Sequence, residues 1–363
     1  MAAWSLFSKL KDGISGSDGP PRMEAFGLHL YGKLPIYKDF ISTGFTEEGS
    51  KDFRDWLGNG FSRRWSLLEE YKGSEIPLHT FLLPLPGGKR SVAGALWGSH
   101  DEGGLRQFPF TLFSVVPQGK AVADPYVALS FLEVFEERAA FIRRVFGPGR
   151  TVASFYEMFR GARIEVPVRK PAKIAEGIDK EAKAVTLGDF AESFLGSSAA
   201  AEWPGFLDRL KRACGHRPGD GAGAVRLPLG NLLPDELQVQ AWLTWLEGEG
   251  VFGERRPTGT LVCRSEGRSR AVLFFRDLRP EDFLLLHPER TDYEFVEDTA
   301  PALPSGEAPA PAAGEPAAPA PVAPSESPAA TPEGSSTVPA VAVSPKGWSA
   351  PLAAFLRSGK GPE

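Results

Sequence analysis

Five histidines, two cysteines and a few loop carboxylates are the residues of this chain whose types could do chemistry. His29, His79, His100, His216 and His287 show no His-x-x-x-His spacing, the pattern that sets two imidazoles on one helix face around a metal ion. Gly87-Gly88-Lys89-Arg90 lacks the remaining residues of a phosphate-cradling loop, and no Gly-x-Ser-x-Gly nucleophile elbow occurs. Cys263 lies in an apolar run, where a thiol is expected to be buried and inert. Asp101 and Glu102 are adjacent acids on a polar stretch, a pattern that reads as solvated surface. His79, Asp39 and Cys263 would make a base, an acid and a thiol if the fold brought them together. Catalysis is not the expectation, and no cofactor or metal is expected.

The residues that stand out for recognition lie in three places. Lys33, Pro35 and Asp39 belong to Gly32-Lys33-Leu34-Pro35-Ile36-Tyr37-Lys38-Asp39-Phe40, a loop shaped by a proline and flanked by apolar bulk. Arg106 and Phe108 open the apolar run Phe108 to Val116. An ion pair between Arg106 and Asp39 would tie these two loops together. The third place is the C-terminus, where Trp348, Leu352, Phe355 and Leu356 share one face if the segment is helical. Such a motif either binds a partner's groove or docks on its own domain.

These loops need elements to hold them. Phe26, Leu28 and Leu30 alternate with Gly27, His29 and Tyr31, which predicts one strand leading into the first loop. Phe53, Trp56, Leu57, Phe61, Trp65 and Leu68 make a helical stripe, although Gly58 and Gly60 weaken it. Three strands are predicted over 78–83, 91–97 and 108–116. The last is apolar at nearly every position, as in a strand covered on both faces. A helix from Asp124 to Phe146 and a shorter one capped by Thr151 follow. Over residues 161–200, Ile164-Glu165-Val166 reads as either an edge strand or a connection, the charged stretch from Arg169 to Lys183 as a solvated linker, and a helix follows near 187–195. Helices over 202–212 and 234–246, strands at 224–229, 257–264 and 270–275, and a last helix from Pro280 complete the set. Buried strands flanked by helices predict an α/β fold, a three-layer α/β/α sandwich with a mixed central sheet.

The organisation read from composition is a flexible arm over 1–24 and one α/β domain over 25–298, with two halves joined near 161–200. A disordered linker rich in proline and alanine spans 299–347, and a short amphipathic motif spans 348–363. More than half of residues 300–347 are alanine or proline and none is aromatic, too little apolar area to offset the entropy of ordering. The chain has 363 residues and a net charge of −5, which argues against general nucleic-acid binding. Two cysteines are too few for a disulfide framework, and no apolar run reaches the ~20 residues of a membrane span. A cytoplasmic protein without a secretory leader is the expectation.

Gly32-Lys33-Leu34-Pro35 followed by Asp39-Phe40 resembles the signature that opens the TagF family, which is accessory to bacterial type VI secretion; Lys38 stands where that family has glycine. Arg106, Phe108 and Pro109, after Asp101-Glu102-Gly103-Gly104, are similar to a second family stretch, with Leu105 and Phe110 departing from it. The likeness runs from about Phe26 to Pro288. It implies a binding protein that represses assembly of the secretion machine after translation, through the system's forkhead-associated scaffold protein. The loops carrying Lys33, Asp39 and Arg106 would supply the surface. Two other classes are an adaptor recruited through Trp348–Leu356 and a cryptic enzyme built on Asp39. Thr291 and Thr299, set among acids, are candidate phosphorylation sites that a forkhead-associated domain would read.

Overall fold

The computed structural model describes residues 22–43, 49–67, 76–117, 125–147, 149–168, 171–215, 223–252, 256–265, 268–286, 296–299 and Leu352. The elements in chain order are β1 (Arg22–Gly27), β2 (His29–Gly32), β3 (Ile41–Thr43), α1 (Ser50–Leu67), β4 (His79–Pro84), β5 (Arg90–Trp97), β6 (Phe110–Pro117), α2 (Pro125–Val145) and α3 (Val152–Phe159). There follow β7 (Arg163–Val168), α4 (Pro171–Ala182), α5 (Leu187–Leu195), α6 (Ala199–Gly215), β8 (Ala224–Leu229), α7 (Asp235–Gly248), β9 (Gly259–Ser265), β10 (Arg268–Phe274) and β11 (Glu297–Asp298). A 3-10 segment over Pro280–Leu286 stands where the sequence predicts a regular helix.

Nine strands form one sheet in the order β11-β8-β10-β9-β4-β5-β6-β2-β3. The sheet is mixed: β11 runs parallel to β8, and the other neighbours are antiparallel. Side chains alternate strictly between its faces, as the period of two demands. Phe81, Leu83, Val92, Leu96, Phe113, Leu261, Cys263, Val272 and Phe274 point to one face. There they pack under α1 and the 3-10 segment through Phe53, Trp56, Leu57 and Phe283. Gly60, a helix weakener in sequence terms, is where α1 touches that segment; a Cβ there would run into the Phe283 ring. The opposite face carries two apolar clusters. Leu82, Ala93, Ala95, Phe110 and Leu112 lie beneath α2 and α3. Val225, Leu227, Leu229, Val262, Ala271 and Leu273 lie beneath α5, α6 and α7. Helices therefore cover both faces, giving the three layers expected from the all-apolar strands.

Three local expectations are corrected. The strand predicted over Phe26–Tyr31 is two strands. At Leu28 the chain bonds to Ala162 O (3.0 Å), and β1 leaves the large sheet to pair with β7 in a two-stranded antiparallel sheet. Alternation survives the break because Phe26, Leu28 and Leu30 all face the same apolar cluster. Strand β1 also begins at Arg22, inside the stretch read as a flexible arm. Within residues 161–200 the strand at Ile164–Val166 and the helix near 187–195 are present as β7 and α5, but the charged stretch is not a solvated linker: it contains α4, with Ile178 and Ala182 buried. On α4, Glu176 and Lys180 are exposed on the side away from Ile178 and Ala182.

Candidate functional site: two loops at one end of the sheet

The hairpin of β2 and β3, with Gly32 opposite Ile41, closes over residues 33–40. Gly32 has φ +128°, and a Cβ on it would run into the carbonyl oxygen of Pro109. Both features require glycine, and the contact welds this loop to the start of β6. Lys33, Leu34 and Ile36 then turn inward and are buried. The Lys33 ammonium lies 4.5 Å from the centroid of the Phe40 ring and has no hydrogen-bond partner. Phe40 is part-exposed; it stacks on Tyr31 (5.5 Å) and meets Phe108 edge-on (4.9 Å). Pro35 is half-buried and Asp39 is exposed, its Oδ1 accepting from the Phe40 amide (2.8 Å).

The second loop, between β5 and β6, is built around Asp101. Its Oδ1 accepts from the backbone amides of Leu105 (3.0 Å) and Arg106 (3.2 Å), and its Oδ2 accepts from Arg106 Nε (2.7 Å). Asp101 N donates to Arg106 O and Gly104 N to Asp101 O, so the turn is closed from both ends. The Arg106 side-chain bond is the chief reason the Asp101 carboxyl is held below the usual carboxylate range. Two bonds tie this loop to the first. Glu102 N donates to Tyr37 O (3.1 Å), and Arg106 Nη2 donates to Lys38 O.

Arg106 thus joins the two loops, but not through the partner that the sequence suggests. It pairs with Asp101, five residues away, and reaches the first loop at the Lys38 carbonyl rather than at the Asp39 carboxylate. The reason is local: a turn through Gly103 and Gly104 returns Arg106 beside Asp101, while Asp39 is spent on its own following amide. Of the residues singled out here, Asp39 and Arg106 are exposed, while Lys33 and Phe108 are buried beneath the surface as supports. Sequence reasoning missed Leu105, which is 89% exposed at the tip of this braced turn. It also read Asp101 as solvated. The signal available was an aspartate two residues before Gly103-Gly104, a turn-forming arrangement.

His79, Asp39 and Cys263 are not assembled. His79 Nε2 bonds to Leu286 O (3.1 Å), and its Nδ1 accepts from Arg264 N (3.0 Å), so both ring nitrogens are engaged with backbone. Cys263 is buried, its thiol pushed up to about 12 by burial and bonded to Leu285 O (3.2 Å). Asp39 lies beyond β2, with β5 and β6 between that strand and β4, a separation of roughly 14 Å at ~4.8 Å per strand.

A polar cluster not expected from sequence sits on the face that carries the two apolar clusters. Arg264 of β9 binds Glu136 of α2 (3.0 Å), Asp235 (2.8 Å) and Glu236, the last two being in the first turn of α7. Thr80 donates to Glu236 from β4. Burial, and then the Glu236 charge, raise Glu136 to about 8; burial also raises Asp235. Burial pulls the Arg264 pKa down, but the three carboxylates push it up and prevail. Among the described residues no group of side chains is arranged to hold a metal ion; here the cation is the guanidinium. The cluster joins helices from both halves to the sheet, which is a structural task.

Two expectations concern the chain's end. Thr299 is buried, and its hydroxyl donates to Arg226 O (2.7 Å), so a phosphate cannot be added without expelling it from the fold. Thr291 lies outside the described residues, as do Trp348, Phe355 and Leu356. Leu352 is fully buried, and its amide donates to Val185 O (2.9 Å). No helix among the described residues is long and apolar enough to cross a membrane.

Residues 29–160 match the family described as the TagF N-terminal domain, type VI secretion system-associated. No curated protein matches the chain. One similar solved structure is that of PA0076 from Pseudomonas aeruginosa PAO1, 22% identical over 39% of this chain and 66% of that one, with a TM-score of 0.30.

Proposed function

We propose, from the match of residues 29–160 to the type VI secretion system-associated TagF N-terminal domain, that the chain is a TagF-family protein acting as a non-catalytic cytoplasmic regulator. In this reading it represses assembly of the secretion machine by binding the system's forkhead-associated scaffold protein. The observation that supports a binding role is the braced turn over residues 101–106. It holds a leucine almost fully in solvent with an arginine beside it and a part-exposed phenylalanine close by. Ordering a loop before binding removes an entropic cost from association, and rigid apolar anchors with an adjacent arginine are the usual centres of interface energy. Asp101, Lys33, Gly32 and Phe108 shape the platform, while Leu105, Arg106, Asp39 and Phe40 would meet the partner.

Calorimetric titration of the full chain against the scaffold from the same bacterium tests this. Binding at micromolar affinity or tighter is expected, weakened at least ~10-fold by Leu105→Asp in a chain whose unfolding midpoint is unchanged. Absence of binding by the intact chain would remove the scaffold from the account. The adaptor reading makes the opposite genetic forecast: deletion would abolish secretion, whereas loss of a repressor raises it.

A further inference from the structure

Leu352 lies some fifty residues beyond the last strand, yet it is fully buried in the apolar cluster built by α4, α5, α6, α7 and the strands β8 to β10. Its amide donates to the carbonyl of Val185, in the turn between α4 and α5. Val185's own amide is used within the turn, donating to Ala182 O (3.1 Å), while its carbonyl accepts from Leu352. Val185 itself is part-buried against the same cluster.

The tether begins close to this place. At Thr299 the chain is pinned to β8 by two bonds to Arg226 O, and α5, which follows the Val185 turn, also packs on β8. A chain of some fifty residues has a root-mean-square reach of about 40 Å if flexible, and more if proline stiffens it. That span covers the distance between two places bordering one strand, and it gives an effective concentration on the order of millimolar. At such a concentration a tethered segment needs only submillimolar intrinsic affinity to occupy a site on its own chain, and a tighter-binding partner can still displace it.

We propose that the C-terminal motif is a cis-acting ligand of a slot at the α4–α5 turn. Leu352 is its anchor, seated by one backbone hydrogen bond and a buried side chain. The slot is thus a docking site for short apolar segments of the Trp348/Leu352/Phe355/Leu356 pattern. Displacement frees two surfaces at once, the slot and the motif. The two loops at the other end of the molecule take no part, so this inference stands or falls apart from the scaffold reading.

Hydrogen exchange on the intact wild-type chain is the first test. The Leu352 amide is expected to exchange at least ~10-fold more slowly than the alanine-rich residues before it. A labelled peptide of residues 346–359 is then titrated into the full chain and into full-length Leu352→Asp. It should bind the variant at least ~10-fold more tightly, because the tethered competitor is disabled. Unprotected exchange at Leu352, or equal peptide affinity for both chains, overturns the proposal. A concentration-dependent dimer that Leu352→Asp abolishes would also overturn it, by showing that the motif docks on a second copy.

Discussion

Arg106 and Arg264 are both organised by carboxylates, and the same chemistry does different work at each. Arg106 sits over half-exposed on a surface loop with one aspartate, and its bonds fix the shape of a turn. Arg264 is largely buried between three carboxylates from two helices, and its bonds fix the position of those helices on the sheet. An exposed pair contributes little to stability because water competes for both charges. In the cluster Arg264, Asp235 and Glu236 have lost most of their water and Glu136 less, so removing the arginine strands the acids. Location therefore sets which property each arginine controls: surface shape at one, global stability at the other.

The largest effect that would break this comparison is at Arg264. Replacing it by leucine leaves Glu136, Asp235 and Glu236 without their cation, and the chain should lose roughly 3–5 kcal/mol, read as a fall in the denaturant midpoint. A loss under about 1 kcal/mol would mean that water already reaches the cluster and that the seam is no different from the surface pair.

Asp101→Ala is the matched change at the other arginine. It removes the acceptor of two loop amides and of the guanidinium. The unfolding midpoint should barely move, while amide exchange at Leu105 and Arg106 accelerates at least ~10-fold and scaffold binding weakens. A drop in midpoint rivalling that of Arg264→Leu would show that the turn is part of the core's stability after all.

The smallest effect concerns pH. Glu136 is raised to about 8 when folded, from an unfolded value near ~4.3. Between those values the folded chain binds more protons than the unfolded chain, so stability falls as pH rises through the window and levels off above it. Its side chain is over one-third exposed, so solvent screening keeps the change well below the full linkage value. Glu136→Gln should flatten the slope between pH 5 and 8, measured as denaturant midpoint against pH; an unchanged slope would place the proton elsewhere, Asp235 being next.

The elements were readable where period and bulk agree. The stripe Phe53, Trp56, Leu57 and Phe61 on α1 and the all-apolar β6 required little beyond counting. Thr151 was recognisable as a cap and does accept from Ser154 N (3.2 Å). The helix over 171–182 is not legible in the sequence because charge density is a property of a helix's outer face as much as of a linker. The two loops were visible as motifs, with Lys33 and Phe108 among their residues. Their burial was not visible, because it depends on a glycine contact between segments that lie more than seventy residues apart.

The sequence by itself determined the alternation of strands and helices, the three layers that follow from apolar strands, and the compositional break after residue 299. These are local quantities, set by side-chain period and by how much apolar area a stretch can bury. Tertiary structure alone decided which carboxylate Arg106 pairs with, that three acids converge on Arg264, and that Leu352 returns to the Val185 turn. Each of those depends on which residues become neighbours once the sheet order is set. Sheet order is a choice among pairings remote in sequence, settled only when the whole core packs.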